Sequence, residues 1–293
     1  MRVLITGAKG QLGMSIRKCA VEHPEMEFLF TDIEELDISS YDAIEQKIKK
    51  FRPQIIINCA SYNAVDQAED DPKPAIKINS NAVQSIAGLA RKYNIGLIHL
   101  STDYIFDGKK GSAYTELDDP NPQSKYAHSK YIGEQAVQTA TPRAAIIRTS
   151  WLYSEYGHNF VKTIRRLASE RDELKVVNDQ LGTPTYAGDL AEVILSIIPN
   201  ISDFDGVNVF NYSNEGLTNW AEFAEAIIKF SGFECKVNAV STEEYGYSKA
   251  KRPTYSLLDK KKIKESFNLS IPGWKESLKK CIETIEKENS NDE

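Results

Sequence analysis

Apolar residues in the first half of the chain fall into short unbroken runs, separated by longer stretches with helical spacing. RVLIT (2–6), EFLFT (27–31), QIIINCA (54–60), IGLIHLS (95–101) and RAAIIRT (143–149) read as strands. QLGMSIRKCAVE (11–22), SYDAIEQKIKKF (40–51) and AIKINSNAVQSIAGLARKY (75–93) read as helices, the second with Ile44 and Ile48 one turn apart. A strand that is apolar at every position is covered on both faces, and strands alternating with helices build a parallel sheet. The expected fold is α/β, a Rossmann-type doubly wound parallel sheet. Beyond Thr149 the alternation loosens. Helical segments such as GHNFVKTIRRLASE and YAGDLAEVILSII enclose strands such as GVNVFNY, and helical spacing returns at 218–230 and 274–286. A cofactor-binding domain over 1–149 and a smaller α/β substrate domain over 150–293 follow, with segments free to interleave. The tail EKENSNDE reads as a frayed polar end.

Composition narrows the function classes. The 293 residues carry a net charge of −6, which argues against nucleic acid or an anionic membrane as partner. No run reaches the length of a membrane span, and the glycine-rich start MRVLITGAKG is unlike a signal peptide. Cys19, Cys59, Cys235 and Cys281 are scattered without a CxxC, which suits a reducing, cytoplasmic setting. The four histidines show no metal-ligand spacing, so no metal site is expected.

VLITGAKGQLG places Gly7, Gly10 and Gly13 at the turn from the first strand into the first helix. There, backbone N–H groups and a helix N-terminus can face a pyrophosphate. Asp32 ends the second strand, where an acid can accept from the adenosine ribose and favours NAD. Lys9, inside the glycine turn, can instead meet a 2'-phosphate and favours NADP. Asp37 can lie near the adenine.

The fourth strand runs into STDYIFDG (101–108), at the edge where open parallel sheets bind ligands. Ser101, Thr102, Asp103 and Tyr104 are therefore candidates to line a crevice. In SKYAHSKYIGE, Tyr126 and Lys130 are one helical turn apart. A neighbouring ammonium and an oxidised nicotinamide both lower a phenol's pKa, which suits Tyr126 to general acid–base work. Thr102 can hydrogen-bond the same substrate oxygen. The constellation points to hydride transfer at a carbonyl, with Tyr126 as proton donor and Lys130 also holding the nicotinamide ribose.

These residues, in this order, resemble the extended short-chain dehydrogenase/reductases, and among them the dTDP-4-dehydrorhamnose reductase family. The stretches GAKGQLG, NCASYNAVDQAE, KINSNA, LSTDYIFDG, YAHSK, RTSWLY, DQLGTPT and RPTYSLLD carry the likeness, which spans nearly the whole chain. The resemblance implies NADPH-dependent reduction, with NADH also possible, of the C4 keto group of dTDP-4-dehydro-L-rhamnose in dTDP-rhamnose supply. It assigns catalysis to Thr102, Tyr126 and Lys130. It assigns cofactor contacts to the glycine turn with Gln11 and Leu12, to Asp32, Asp37, Ile38, Ala60 and Tyr62, and to Asn79 near the site. It assigns the sugar to Val65, Tyr104 and Trp151, with Asn63, Arg252 and the DQLGTPT loop as further contacts. Trp151 can equally serve packing alone, and the Arg252-Pro253 pair a loop end.

Some members of the family bind Mg²⁺ through acids at a dimer interface. Here Ser15 replaces an acid just after the glycine turn, leaving Asp189 and Glu192, so Mg²⁺ is doubtful while a homodimer stays open. Two other classes share the scaffold: nucleotide-sugar epimerases or dehydratases, and a regulator of methionine adenosyltransferase. Dehydratases place a glutamate where this chain has Tyr104.

Overall fold

The computed structural model describes residues 1–140, 143–246 and 248–291. The apolar runs become strands of one sheet: β1 (Arg2–Thr6), β2 (Glu27–Thr31), β3 (Ile55–Asn58), β4 (Gly96–Thr102), β5 (Arg143–Thr149) and β6 (Gly206–Tyr212). Their order across the sheet is β6-β5-β4-β3-β1-β2, and every pair is parallel. The register places Thr6 opposite Thr31 and Asn58, and Thr149 opposite Thr102 and Tyr212. The carboxyl ends therefore share one edge. Strand order reverses beside β1, and ligand crevices open at such a switch point.

The principal helices are α1 (Gln11–Cys19), α2 (Tyr41–Phe51), α3 (Val83–Lys92), α4 (Lys125–Ala140), α5 (Phe160–Glu170), α6 (Ala187–Ile197), α7 (Trp220–Phe230) and α8 (Trp274–Asn291). Alternate residues of the continuous strands serve opposite faces. Val3, Ile5, Ile57 and Ile98 pack with α1 and α6, while Leu4, Ile56 and Leu97 pack with α2 and α3. Each fully buried Ile or Leu contributes roughly 1.5–3 kcal/mol relative to exposure. A separate core of Tyr153, Val161, Ile164, Phe223, Trp274 and Leu278 holds the C-terminal lobe. There Glu173–Val177 pairs in parallel with Lys236–Val240. Residues 187–212 return to the first lobe, α6 against α1 and β6 against β5.

Three local differences from the sequence pattern have physical causes. Helix α2 begins at Tyr41 because Ser40 caps it, accepting from the Ala43 N–H at 3.3 Å. Residues 75–93 are not one uniform helix, since Ile76–Ala82 widens into a π-helical segment. A Cβ on Gly133 of α4 would lie 2.0 Å from the Asn79 carbonyl oxygen, so the glycine lets α4 press against the widened turn. π segments are frequent at functional sites, and this one delivers Asn79. The expected frayed tail is helical to Asn291; residues 292–293 lie outside the described residues.

Candidate active site

A cavity of roughly 910 Å³ runs along the carboxyl edge of the sheet, from the glycine turn to the C-terminal lobe. Gly7 has φ +67°, and a Cβ there would lie 2.6 Å from the Ala60 backbone nitrogen. At Gly13 it would lie 2.4 Å from the Gly7 carbonyl oxygen. Gly10 is the N-cap of α1, with no capping side chain and no acid in the first turn. The first N–H groups of a helix have no partners within it, so this turn is a positive cradle lined by Gly10, Gln11 and Leu12. It fits a dinucleotide pyrophosphate.

Asp32 accepts the N–H groups of Lys9 at 2.8 Å and Ile33 at 2.9 Å, tying the glycine turn to the end of β2. The Lys9 ammonium pairs with Glu34, and that bond raises its pKa. Asp37, which accepts from the Ser39 N–H at 2.8 Å, is held below the ordinary carboxylate range by Ser39. Asp37, Ile38, Ala60 and Tyr62 complete this end of the wall.

Thr102 ends β4 in the middle of the cavity. Its Oγ1 accepts the Tyr104 N–H at 3.2 Å and lies 3.1 Å from Asp103 Oδ1. Across from it, α4 presents Tyr126 and Lys130, both buried. The Tyr126 hydroxyl lies 3.4 Å from Asn63 Oδ1, and Lys130 Nζ donates to the Leu100 carbonyl at 2.6 Å. One turn further, buried Glu134 accepts from Ser101 Oγ at 2.8 Å and pairs with Arg148. Stripping one partner from such a buried pair costs about 3–5 kcal/mol. The pair therefore anchors α4 to the strand ends that carry the site.

The electrostatics differ from the sequence expectation. Burial pushes the Tyr126 phenol up, only partly opposed by the Thr102 hydroxyl, instead of the lowering expected from a neighbouring ammonium. The Lys130 charge is directed at a backbone carbonyl, and burial pulls its pKa down to about 8 despite Glu134. A phenol that keeps its proton is a ready general acid. Tyr104 is likewise pushed up to about 12 by burial.

The far end of the cavity is aromatic. Tyr104 meets Tyr126 edge to face, with centroids 6.1 Å apart. Trp151 stacks on Trp220 at 3.7 Å and 14° between planes. Trp151 has φ +46°, an uncommon conformation for a bulky residue and one often held at functional sites. Asn63, Val65, Tyr104, Trp151 and Trp220 all line the wall.

The chain matches the model described as "RmlD substrate binding domain" over residues 1–287. It is 42% identical to the dTDP-4-dehydrorhamnose reductase of Aggregatibacter actinomycetemcomitans, over 95% of this chain and 97% of that protein. The solved dTDP-4-dehydrorhamnose reductase of Clostridium acetobutylicum superposes with TM-score 0.92 at 39% identity, over 98% of this chain and all of that one (100%). That of Bacillus anthracis, solved in complex with NADP, gives 0.91 at 38% identity, over 97% and 99%.

The chain belongs to the dTDP-4-dehydrorhamnose reductase family.

Not every residue expected from the family pattern touches the cavity. Asn79 stands behind the wall, accepting from the Tyr62 N–H at 2.8 Å and donating to Ser129 Oγ at 3.0 Å. Arg252 also stands behind it, 2.7 Å from Asp66 and beside the Tyr104 phenol. The DQLGTPT loop backs Trp151: the Thr185 N–H donates to the Trp151 carbonyl at 3.2 Å, and Gly182 leaves room for the indole. Trp220 and His158 line the cavity without having been singled out from sequence. Trp220 sits just after the helix-capping Asn219, where its aromatic character reads as ordinary core. Of the acids considered for a metal, Asp189 accepts from Asn214 and Ser277, and Lys280 approaches Asp189 at 3.6 Å and Glu192 at 3.3 Å. Among the described residues no three His, Cys, Asp or Glu gather as a metal site, and no helix is long and apolar enough to cross a membrane.

Proposed function

We propose that the protein reduces the C4 keto group of dTDP-4-dehydro-L-rhamnose to give dTDP-L-rhamnose. The observation that carries this reading is the convergence of Thr102, Tyr126 and Lys130 on the cavity that also holds the glycine turn. A bound reduced nicotinamide supplies the hydride. Thr102 and Tyr126 hydrogen-bond the C4 oxygen, where such donors stabilise developing negative charge, and Tyr126 holds and delivers the proton. Lys130, fixed by the Leu100 carbonyl, positions the nicotinamide ribose. Tyr104, Val65, Asn63 and the indole pair face the sugar. Arg252 acts by holding Tyr104, and Asn79 by shaping the wall at Tyr62.

Elimination chemistry is disfavoured. Tyr104 stands in the place of a carboxylate base, and a phenol pushed up to about 12 is a poor substitute. The test is NADPH oxidation on adding a dTDP-4-keto-6-deoxy sugar, followed by mass spectrometry. Turnover with dTDP-L-rhamnose as product is the expected result. A 4-keto-6-deoxy product from dTDP-glucose and oxidised cofactor would instead mark a dehydratase, and silence in both assays a regulator.

On the same reading NADPH is the working cofactor and NADH is also accepted. Lys9 exchanges Glu34 for a 2'-phosphate, while Asp32 suits a free ribose; the NADP complex of the Bacillus anthracis relative supports the first. Residues 1–149 form the cofactor domain and 150–293 the substrate domain, with 187–212 contributing to the first. Lys280 lies against both Asp189 and Glu192, which leaves Mg²⁺ doubtful, and turnover after EDTA treatment with and without added Mg²⁺ tests this. The protein works in the cytoplasm, and light scattering decides between a monomer and the homodimer that the sequence leaves open.

A further inference from the structure

Asp103 has no task in the scheme above, yet it is 1% exposed, borders the cavity, and its Oδ2 has no hydrogen-bond partner among the described residues. Its Oδ1 lies 3.1 Å from Thr102 Oγ1, which already accepts the Tyr104 N–H at 3.2 Å. A hydroxyl has one proton and two lone pairs. With an ionised Asp103, the single Thr102 proton points at Oδ1 and none is left for a substrate oxygen. With a neutral Asp103, the carboxyl donates into the second lone pair of Thr102, and the threonine proton is free to turn into the cavity.

We infer that Asp103 works as a neutral acid, a positioning residue that aims the Thr102 hydroxyl at the C4 oxygen of the substrate. This rests on the reading that Thr102 donates to that oxygen. The surroundings favour the neutral form. Burial pushes the carboxyl up to about 7, against the weaker combined pull of the Ser256 and Thr102 hydroxyls and the backbone N–H groups of Asp103 and Tyr104. Ser256 lies near enough to act on the charge without closing a bond of ordinary geometry to Oδ2. The other groups facing Asp103 are Tyr104 on its own turn and the Tyr126 phenol on α4, neither of them cationic. Arg252 is engaged by Asp66 and Tyr104. An ionised Asp103 would also hold the Tyr126 proton more tightly. Both effects slow reduction as Asp103 loses its proton.

The experiment is the pH dependence of kcat/KM for NADPH-driven reduction of a dTDP-4-keto-6-deoxy sugar by the full-length protein. Wild type is expected to begin falling near pH 7. Asp103→Asn, whose amide donates at every pH, should move that fall up by about one unit, toward the value near 8 set by Lys130. A profile superimposable on wild type overturns the inference. Thr102→Val gives an independent reading should the asparagine variant fold poorly. With no hydroxyl to orient, its slower turnover should show a smaller fall near pH 7, only the part that passes through the Tyr126 proton, and a fall as large as that of wild type overturns the inference as well. Wild type that oxidises no NADPH sinks the functional reading itself, whereas turnover with unchanged profiles sinks only the role of Asp103.

Discussion

The two ends of the cavity are built from different materials. The end proposed for the nucleotide is backbone: a glycine turn, an uncapped helix start and the N–H groups gathered by Asp32. Apart from Ala60 and Tyr62 its parts lie within residues 7–38, and the geometry of the turn follows from the absence of side chains. The end proposed for the sugar is side chains: Thr102, Tyr104, Tyr126, Trp151 and Trp220, drawn from four stretches of chain and both lobes. The first end can be damaged by adding atoms, the second by removing them. Five substitutions or conditions press on that contrast.

The largest effect belongs to Tyr126→Phe. The ring keeps its packing and loses only the proton, so kcat should fall about 10² to 10⁴-fold while NADPH affinity and the melting temperature hold. A variant with near wild-type turnover would remove Tyr126 from the chemistry. At the other end, Gly13→Ala adds one methyl 2.4 Å from the Gly7 carbonyl oxygen. The strain of about 1–3 kcal/mol should weaken NADPH binding about 10- to 100-fold in a fluorescence titration. Unchanged affinity would mean the turn is not the pyrophosphate cradle.

The pH dependence separates charge from shape. Burial moves Lys130 from 10.5 down to about 8, so its ammonium is intact below that pH and lost above it. Activity should therefore fall as pH rises through about 8, by up to about tenfold per unit, and the steady decline should persist in Asp103→Asn. A plateau extending past pH 9.5 would show that Lys130 stays charged or does not matter. Trp220→Ala tests the far wall. Losing the stack on Trp151 should raise KM for the sugar nucleotide about three- to tenfold and leave NADPH affinity alone. An effect on NADPH instead would place Trp220 at the wrong end. The smallest change is expected from Glu34→Gln. It frees exposed Lys9 from a solvent-screened ion pair, shifting preference toward NADPH about two- to fivefold in paired steady-state assays. A shift toward NADH would show that Lys9 does not meet the 2'-phosphate.

The same contrast explains how much was legible beforehand. Gly7, Gly10 and Gly13 identified a tight strand–turn–helix because a positive φ and close backbone approach are local demands. The apolar runs identified strands buried on both faces for the same reason. Tyr126 and Lys130 were readable as neighbours because a helix fixes the spacing four residues apart. The stacking of Trp151 on Trp220 was not readable, since 68 residues of chain lie between the two and neither signals its partner. The placement of Arg252 behind Tyr104 depends on Asp66, which is distant in sequence.

Sequence by itself determined the parallel α/β architecture, the glycine-rich strand–turn–helix and the one-turn spacing of Tyr126 and Lys130, all of which rest on short-range spacing and backbone preference. Tertiary structure alone decided the protonation of the site. The Tyr126 phenol is pushed up, Lys130 is pulled down to about 8 and Asp103 is raised to about 7. The reason is that desolvation depends on everything packed around a group, and in this molecule that packing comes from strands, α4 and the C-terminal loop meeting in space.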